Sequence, residues 1–119
     1  MKRLPRSASC PTEFALELLG GKWATVILAH LKERPLRYGD LRRLVPALSE
    51  KVLTQRLDDL QERGLIAKQA IANNGSRYVL TANAKALRPA LQHLYTWGEA
   101  QAERLGVTIN DFAQERVEG

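Results

Sequence analysis

The 119-residue chain has one cysteine, one methionine and two histidines, and aromatic residues make up only 6% of it. One cysteine cannot close an internal disulfide, and one cysteine with two histidines cannot build a zinc site without carboxylates. His30 and His93 stand far apart, with no acid or second cysteine at ligand spacing. No apolar run approaches the ~18 residues that a membrane span needs. The basic start, Met1 to Ser9, leads into no apolar segment of signal-peptide type. These scarcities exclude disulfide scaffolds, most metal centres and membrane-spanning folds. No cofactor, metal or membrane partner is expected, and the cytoplasm is the expected compartment. Catalysis is not expected either. No nucleophile is paired with a base, and Gly20-Gly21-Lys22 lacks the spaced upstream glycine and preceding strand of a phosphate loop. It reads as a helix break.

What is present is an ordinary globular composition, 45% apolar and 26% charged, at the size of one domain. The net charge of +5 is unevenly spread. Between Arg34 and Arg56 lie Arg34, Arg37, Arg42, Arg43, Lys51 and Arg56 against only Asp40 and Glu50. Lys2, Arg3 and Arg6 form a basic arm before Cys10, whereas Glu99, Glu103, Asp111, Glu115 and Glu118 make the C-terminal stretch acidic. One part of the molecule is suited to a polyanion and another is not.

The pattern predicts mainly α structure with a small β-hairpin. Cys10 caps a first helix with Pro11 at its first position and Glu13 in the place of a capping box. A second helix carries Trp23, Val26, Ile27, Leu28 and Leu31 and ends near Lys32; Pro35 then forces extended backbone, and Leu36-Arg37 reads as a very short strand. A third helix runs from Tyr38 to Leu44, with Leu41, Leu44 and Val45 inward. Pro46 breaks it, and Ser49 caps a fourth helix ending at Gly64. Leu53, Leu57 and Leu60 form one apolar stripe on that helix. On a helical wheel Lys51 and Gln55 point away from the stripe, with Thr54 and Arg56 on its flanks. Two short helices joined by a tight turn make a helix-turn-helix. Leu65–Ile71 and Arg77–Leu80 then read as strands about the turn Asn73-Asn74-Gly75. Helical sequence follows to about Leu105, in which Pro89 marks either a kink or the true start. A last short helix is expected from about Asn110.

These segments resemble the HxlR-type family of bacterial winged helix transcription regulators, which are MarR-like. The resemblance rests on Cys10-Pro11, Leu19-Gly20-Gly21-Lys22-Trp23, Arg37-Tyr38-Gly39-Asp40-Leu41, Leu48 to Leu57, Gly64-Leu65-Ile66, Tyr78-Val79-Leu80-Thr81 and Trp97-Gly98. Each piece is short; their order within ninety residues is specific. The resemblance implies a winged helix-turn-helix that dimerises through its terminal helices, a homodimeric repressor or activator, and a Ser49 helix that enters the major groove. The chain departs from it at Arg77, where the family commonly has glutamate, and at Ala84, where it commonly has glycine. Residues 10–107 are the expected domain with its dimerisation helices, 1–9 an arm and 108–119 a helical tail.

The expected partner is double-stranded DNA carrying an inverted repeat, bound by a homodimer. A solvated amphipathic face is the competing account of Lys51, Thr54, Gln55 and Arg56, but their place after a helix-turn-helix turn favours base contact. Lys and Arg pair with guanine, Gln with adenine, and Thr meets the thymine methyl. Asp58, Asp59 and Glu62 at the far end would repel phosphate, so only the first two turns are expected in the groove. Ser49 is a cap that can also grip a phosphate. Arg42, Arg43 and Arg77 are candidate phosphate contacts. Trp23, Tyr78, Tyr95 and Trp97 read as core or dimer-interface residues. Cys10 is either an incidental thiol or a sensor of oxidants or electrophiles; a helix N-terminus and neighbouring cations favour thiolate, and family members resembling this chain often carry a sensing cysteine there. With no second cysteine, oxidation would give an intersubunit Cys10 bridge, a mixed disulfide or an alkylated thiol. A small-molecule or electrophile effector is thus a further candidate partner. The rival reading is a winged helix that binds proteins and has no DNA function.

Overall fold

The computed structural model describes residues 4–20, 22–73 and 75–109. Among these residues six helices and one hairpin follow in the order α1 (Pro11–Leu19), α2 (Ala24–Glu33), α3 (Tyr38–Leu44), α4 (Glu50–Glu62), β1 (Ile66–Ile71), β2 (Gly75–Leu80), α5 (Ala82–Lys85) and α6 (Arg88–Leu105). This is a mainly helical fold with a two-stranded wing. The helix expected from Asn110 lies outside the described residues, as do Lys2 and Arg3. Among the described residues no single helix is long and apolar enough to cross a membrane.

Local chemistry sets each boundary. The Cys10 sulfur accepts the Glu13 N–H at 3.3 Å. The Glu13 carboxylate reaches back one residue further than a capping box would, to the Ser9 N–H (3.2 Å) and hydroxyl (2.9 Å). Gly20 ends α1 because a Cβ there would stand 2.8 Å from the Glu17 carbonyl. Asp40 caps α3 by accepting the Arg37 N–H at 3.0 Å. The Ser49 hydroxyl accepts the Val52 N–H at 3.1 Å and so starts α4 as expected. Gly64, at φ +77, turns the chain from α4 into β1 through a conformation that L residues avoid.

The core gathers the inner faces of α2, α3, α4 and the hairpin. Ile27, Leu28, Leu41, Val45 and Leu53 are fully buried, with Leu57 and Leu60 almost so. The strands pair antiparallel from Ile66 opposite Leu80 to Ile71 opposite Gly75. In the turn that follows β1, Asn73 stands at φ 67. The expected Leu36-Arg37 strand is a single bridge, Leu36 to Tyr78, which lays the chain before α3 alongside β2. Thr81 closes the root of the hairpin. Its hydroxyl donates to the Gly64 carbonyl at 2.7 Å and accepts the Ala84 N–H at 3.1 Å.

Pro89 lies in the first turn of α6, so of the two expectations it marks a start. Helix α6 touches the body near its beginning, where Leu87 and Leu91 pack against the core and Lys32 Nζ donates to Gln92 Oε1 at 3.1 Å. None of its residues is buried; Trp97 is 64% exposed and Leu105 62%. Tyr95 and Trp97 therefore belong to an outer face of the protomer, while Trp23 and Tyr78 pack with the core.

Burial first, then the nearby Asp58 charge and Tyr38, hold the Tyr78 hydroxyl above its ordinary value of 10.0. The folded state favours the neutral phenol. Its contribution to stability is therefore whole below pH about 10 and is lost as pH climbs through the raised value. Tyr78→Phe is expected to show a shallower fall in melting temperature above pH about 10 than the wild type, measured by circular dichroism.

Candidate nucleic-acid interface

Helix α4 owes its orientation to its leucines. With Leu53, Leu57 and Leu60 in the core, the opposite side must face water, and Lys51, Thr54 and Gln55 are exposed. Arg56 differs from its three neighbours. It is half-buried, its Nη1 lies 3.5 Å from Asp59 Oδ2, and its Nε is buried without a hydrogen-bond partner. Asp59 itself is buried, so of the three acids at the far end only Asp58 and Glu62 meet solvent. Arg56 lies on the flank of the leucine stripe, within about 70° of its centre, so it is a boundary residue, and its pairing with the buried Asp59 holds it partly in.

The turn between α3 and α4 is braced from within. Arg42 Nη1 donates to the Leu48 carbonyl at 2.9 Å, the Leu48 N–H donates to the Val45 carbonyl at 3.1 Å, and Leu48 is buried. Arg42 thus holds the angle between the two helices. Arg43 is exposed and paired with Asp40. On the wing, Arg77 Nε donates to Gln69 Oε1 at 2.7 Å across the strands. Ser49 is exposed at the start of α4.

Tyr38 is a member of this surface to which the sequence reading gave no role. Its hydroxyl lies 3.4 Å from both the Thr54 hydroxyl and the Glu50 carbonyl, against the first turns of α4. Its sequence signal was an aromatic with a polar tip opening the helix before the turn, which equally suits a core residue.

Cys10 is exposed and unbridged, and Arg6 is exposed nearby in sequence. A cleft of about 880 Å³ separates α1 from α4, with Leu16 and Glu17 on one wall and Lys51, Gln55, Arg56 and Asp59 on the other. Helix α1, which carries Cys10 at its cap, therefore faces the helix that carries the outward polar residues. Among the described residues no group of three or more His, Cys, Asp or Glu could hold a metal; His30 is buried and His93 exposed.

The HxlR-like helix-turn-helix family model matches residues 18–105. The uncharacterised HTH-type transcriptional regulator YdzF of Bacillus subtilis is 36% identical over 104 residues, covering 85% of this chain and 95% of that protein. Among solved structures, the redox regulator HypR in its reduced form superposes with a TM-score of 0.75 at 27% identity, over 82% of this chain and 98% of that one. The reduced transcriptional regulator YodB from B. subtilis superposes with a TM-score of 0.68 at 28% identity, over 77% and 93% of the two chains.

Replacing Arg42 by Met leaves the Leu48 carbonyl without its donor. Urea unfolding is expected to show a loss of about 1–3 kcal/mol, whereas Arg43→Met, at an exposed ion pair, is expected to lose under about 1 kcal/mol.

Proposed function

The chain belongs to the HxlR-like helix-turn-helix family, and from that premise we propose that it is a dimeric, sequence-specific DNA-binding regulator of transcription that acts as a repressor in the cytoplasm. The observation that carries this reading is the exposed side of α4, where Lys51, Thr54 and Gln55 meet solvent on a helix fixed by its opposite face. Lys51 and Gln55 read base edges from the major groove, Thr54 adds contact with a thymine methyl, and Arg56 serves the same face if its guanidinium leaves Asp59. Ser49, Arg42, Arg43 and Arg77 contact or position the phosphates, and the arm with Lys2, Arg3 and Arg6 adds charge. The family is one of transcription regulators rather than enzymes, which supports a non-catalytic protein.

The dimer is the natural use of the apolar side chains that one protomer leaves in water. Leu16 on α1 and Leu94, Tyr95, Trp97 and Leu105 on α6 are exposed. Large exposed apolar groups of this kind mark interaction surfaces. Residues 10–107 then act as one winged helix domain with its dimerisation helices, between an arm at 1–9 and a tail at 108–119. Two copies related by a two-fold axis set their α4 helices about 34 Å apart and read an inverted repeat.

HypR bears the name of a redox regulator, and Cys10 is the exposed thiol that would give this chain the same property. Its thiolate attacks an electrophile directly, or two Cys10 thiols from paired subunits lose two protons and two electrons to an oxidant and form one bridge. Either event alters the cap of α1, and α1 lies across the cleft from α4.

Selection of bound genomic fragments by the purified protein tests the reading. Inverted repeats are expected, with Gln55→Ala or Lys51→Ala relaxing the preference at one position at about 1–3 kcal/mol per lost base contact. With six to ten phosphates neutralised, affinity should fall by about 10³–10⁵ between 50 and 200 mM salt. Release by diamide or a quinone in the wild type but not in Cys10→Ser assigns the sensor; identical behaviour makes Cys10 a bystander. A dimer that ignores duplex DNA at low salt turns the fold into a protein-interaction module.

A further inference from the structure

Leu36 and Tyr78 exchange both backbone hydrogen bonds, from the Leu36 N–H at 3.1 Å and from the Tyr78 N–H at 2.7 Å. In antiparallel pairing, the residues one step beyond such a pair stand opposite one another with their side chains closest. That step sets Arg37 against Arg77. Arg37 keeps the extended backbone the pairing needs, φ −81 and ψ 163. Leu36 and Tyr78 point into the core, so by alternation the two arginines project from the other face.

Their surroundings hold them there. Arg77 is fixed from the far strand by Gln69. Arg37 extends along the same face toward the wing tip, where a Cβ on Gly75 would lie 3.7 Å from its Nη1. Among the described residues, neither guanidinium has an ion pair with a carboxylate. Asp40, the nearest acid in sequence, is taken up by the Arg37 backbone N–H and by Arg43.

Like charges directly opposite in a sheet destabilise it, and an anion between them removes the cost. We propose that Arg37 and Arg77 form a two-pronged site for one phosphodiester of the DNA backbone, at the junction of the wing with α3. The proposal rests on the DNA-binding reading above and adds Arg37 to it. Guanidinium forks match phosphate oxygens in geometry and charge. Arg37 directly precedes Tyr38, whose hydroxyl touches Thr54, so the clamped phosphate flanks the bases that α4 reads.

The test compares wild type, Arg37→Ala, Arg77→Ala, the double variant and Arg77→Glu. Duplex binding is followed by fluorescence anisotropy between 50 and 200 mM salt, and melting is followed in inorganic phosphate against chloride at equal ionic strength. The double variant is expected to lower the log–log salt slope by about 0.9, the share of one phosphate. It should weaken all sequences alike, and the two single losses should not add. Arg77→Glu should melt above the wild type, because the opposed pair becomes attractive, and yet bind DNA more weakly. Phosphate should raise the melting temperature of the wild type more than that of the double variant. A wild type that binds duplex while the double variant matches it in affinity and slope overturns the clamp and leaves the DNA reading standing. A wild type that binds no duplex overturns the DNA reading beneath it. In that case an arginine-dependent gain from inorganic phosphate makes the pair a site for a free oxyanion, and an equal gain in every variant removes the site altogether.

Discussion

The burial of Leu53, Leu57 and Leu60 is the constraint on which the rest of this structure depends. Each buried leucine contributes about 1.5–3 kcal/mol relative to an exposed one. The other positions of α4 are largely polar, so no second apolar face competes to dock. A rotation of one residue would turn the helix by about 100°, bury Thr54 or Arg56 and expose leucine. The outward polar set is therefore a consequence of core packing. Ser49 fixes where the helix begins, and Arg42 fixes the angle at which it leaves the turn.

The wing depends on the same core from the other side. Tyr78 is buried beneath the hairpin and pairs with Leu36, so β2 is tied to the segment that leads into α3. Thr81 ties the end of β2 to Gly64 at the end of α4. Wing and helix-turn-helix are thus bonded at both ends of the helical pair. Helix α6 is different in kind. It meets the body near its first turns and carries its remaining apolar side chains in water, so the single chain leaves part of its hydrophobic surface without a partner.

Most of the fold was legible because its signals are local. Cys10-Pro11, Ser49 and Gly64 set helix ends through hydrogen bonds and φ angles that act within a few residues. The leucine stripe gave the facing of α4. What was not legible came from tertiary contact. Arg56 lies on the flank of a wheel, and its pairing with the buried Asp59 goes with its being half-buried. Arg42 looked like a surface cation, because no sequence signal aims a guanidinium at the carbonyl of Leu48. Tyr38 had two compatible environments. The opposition of Arg37 and Arg77 needs a bridge register that joins residues forty positions apart, which periodicity does not encode.

The most direct test is a map of backbone amide chemical shifts on titration of the labelled protein with a duplex it selects. The account expects the largest changes between Ser49 and Arg56, with the leucine side of α4 still protected from exchange. Largest changes confined to Asp58–Glu62 or to α6, with the first two turns of α4 unmoved, would contradict it.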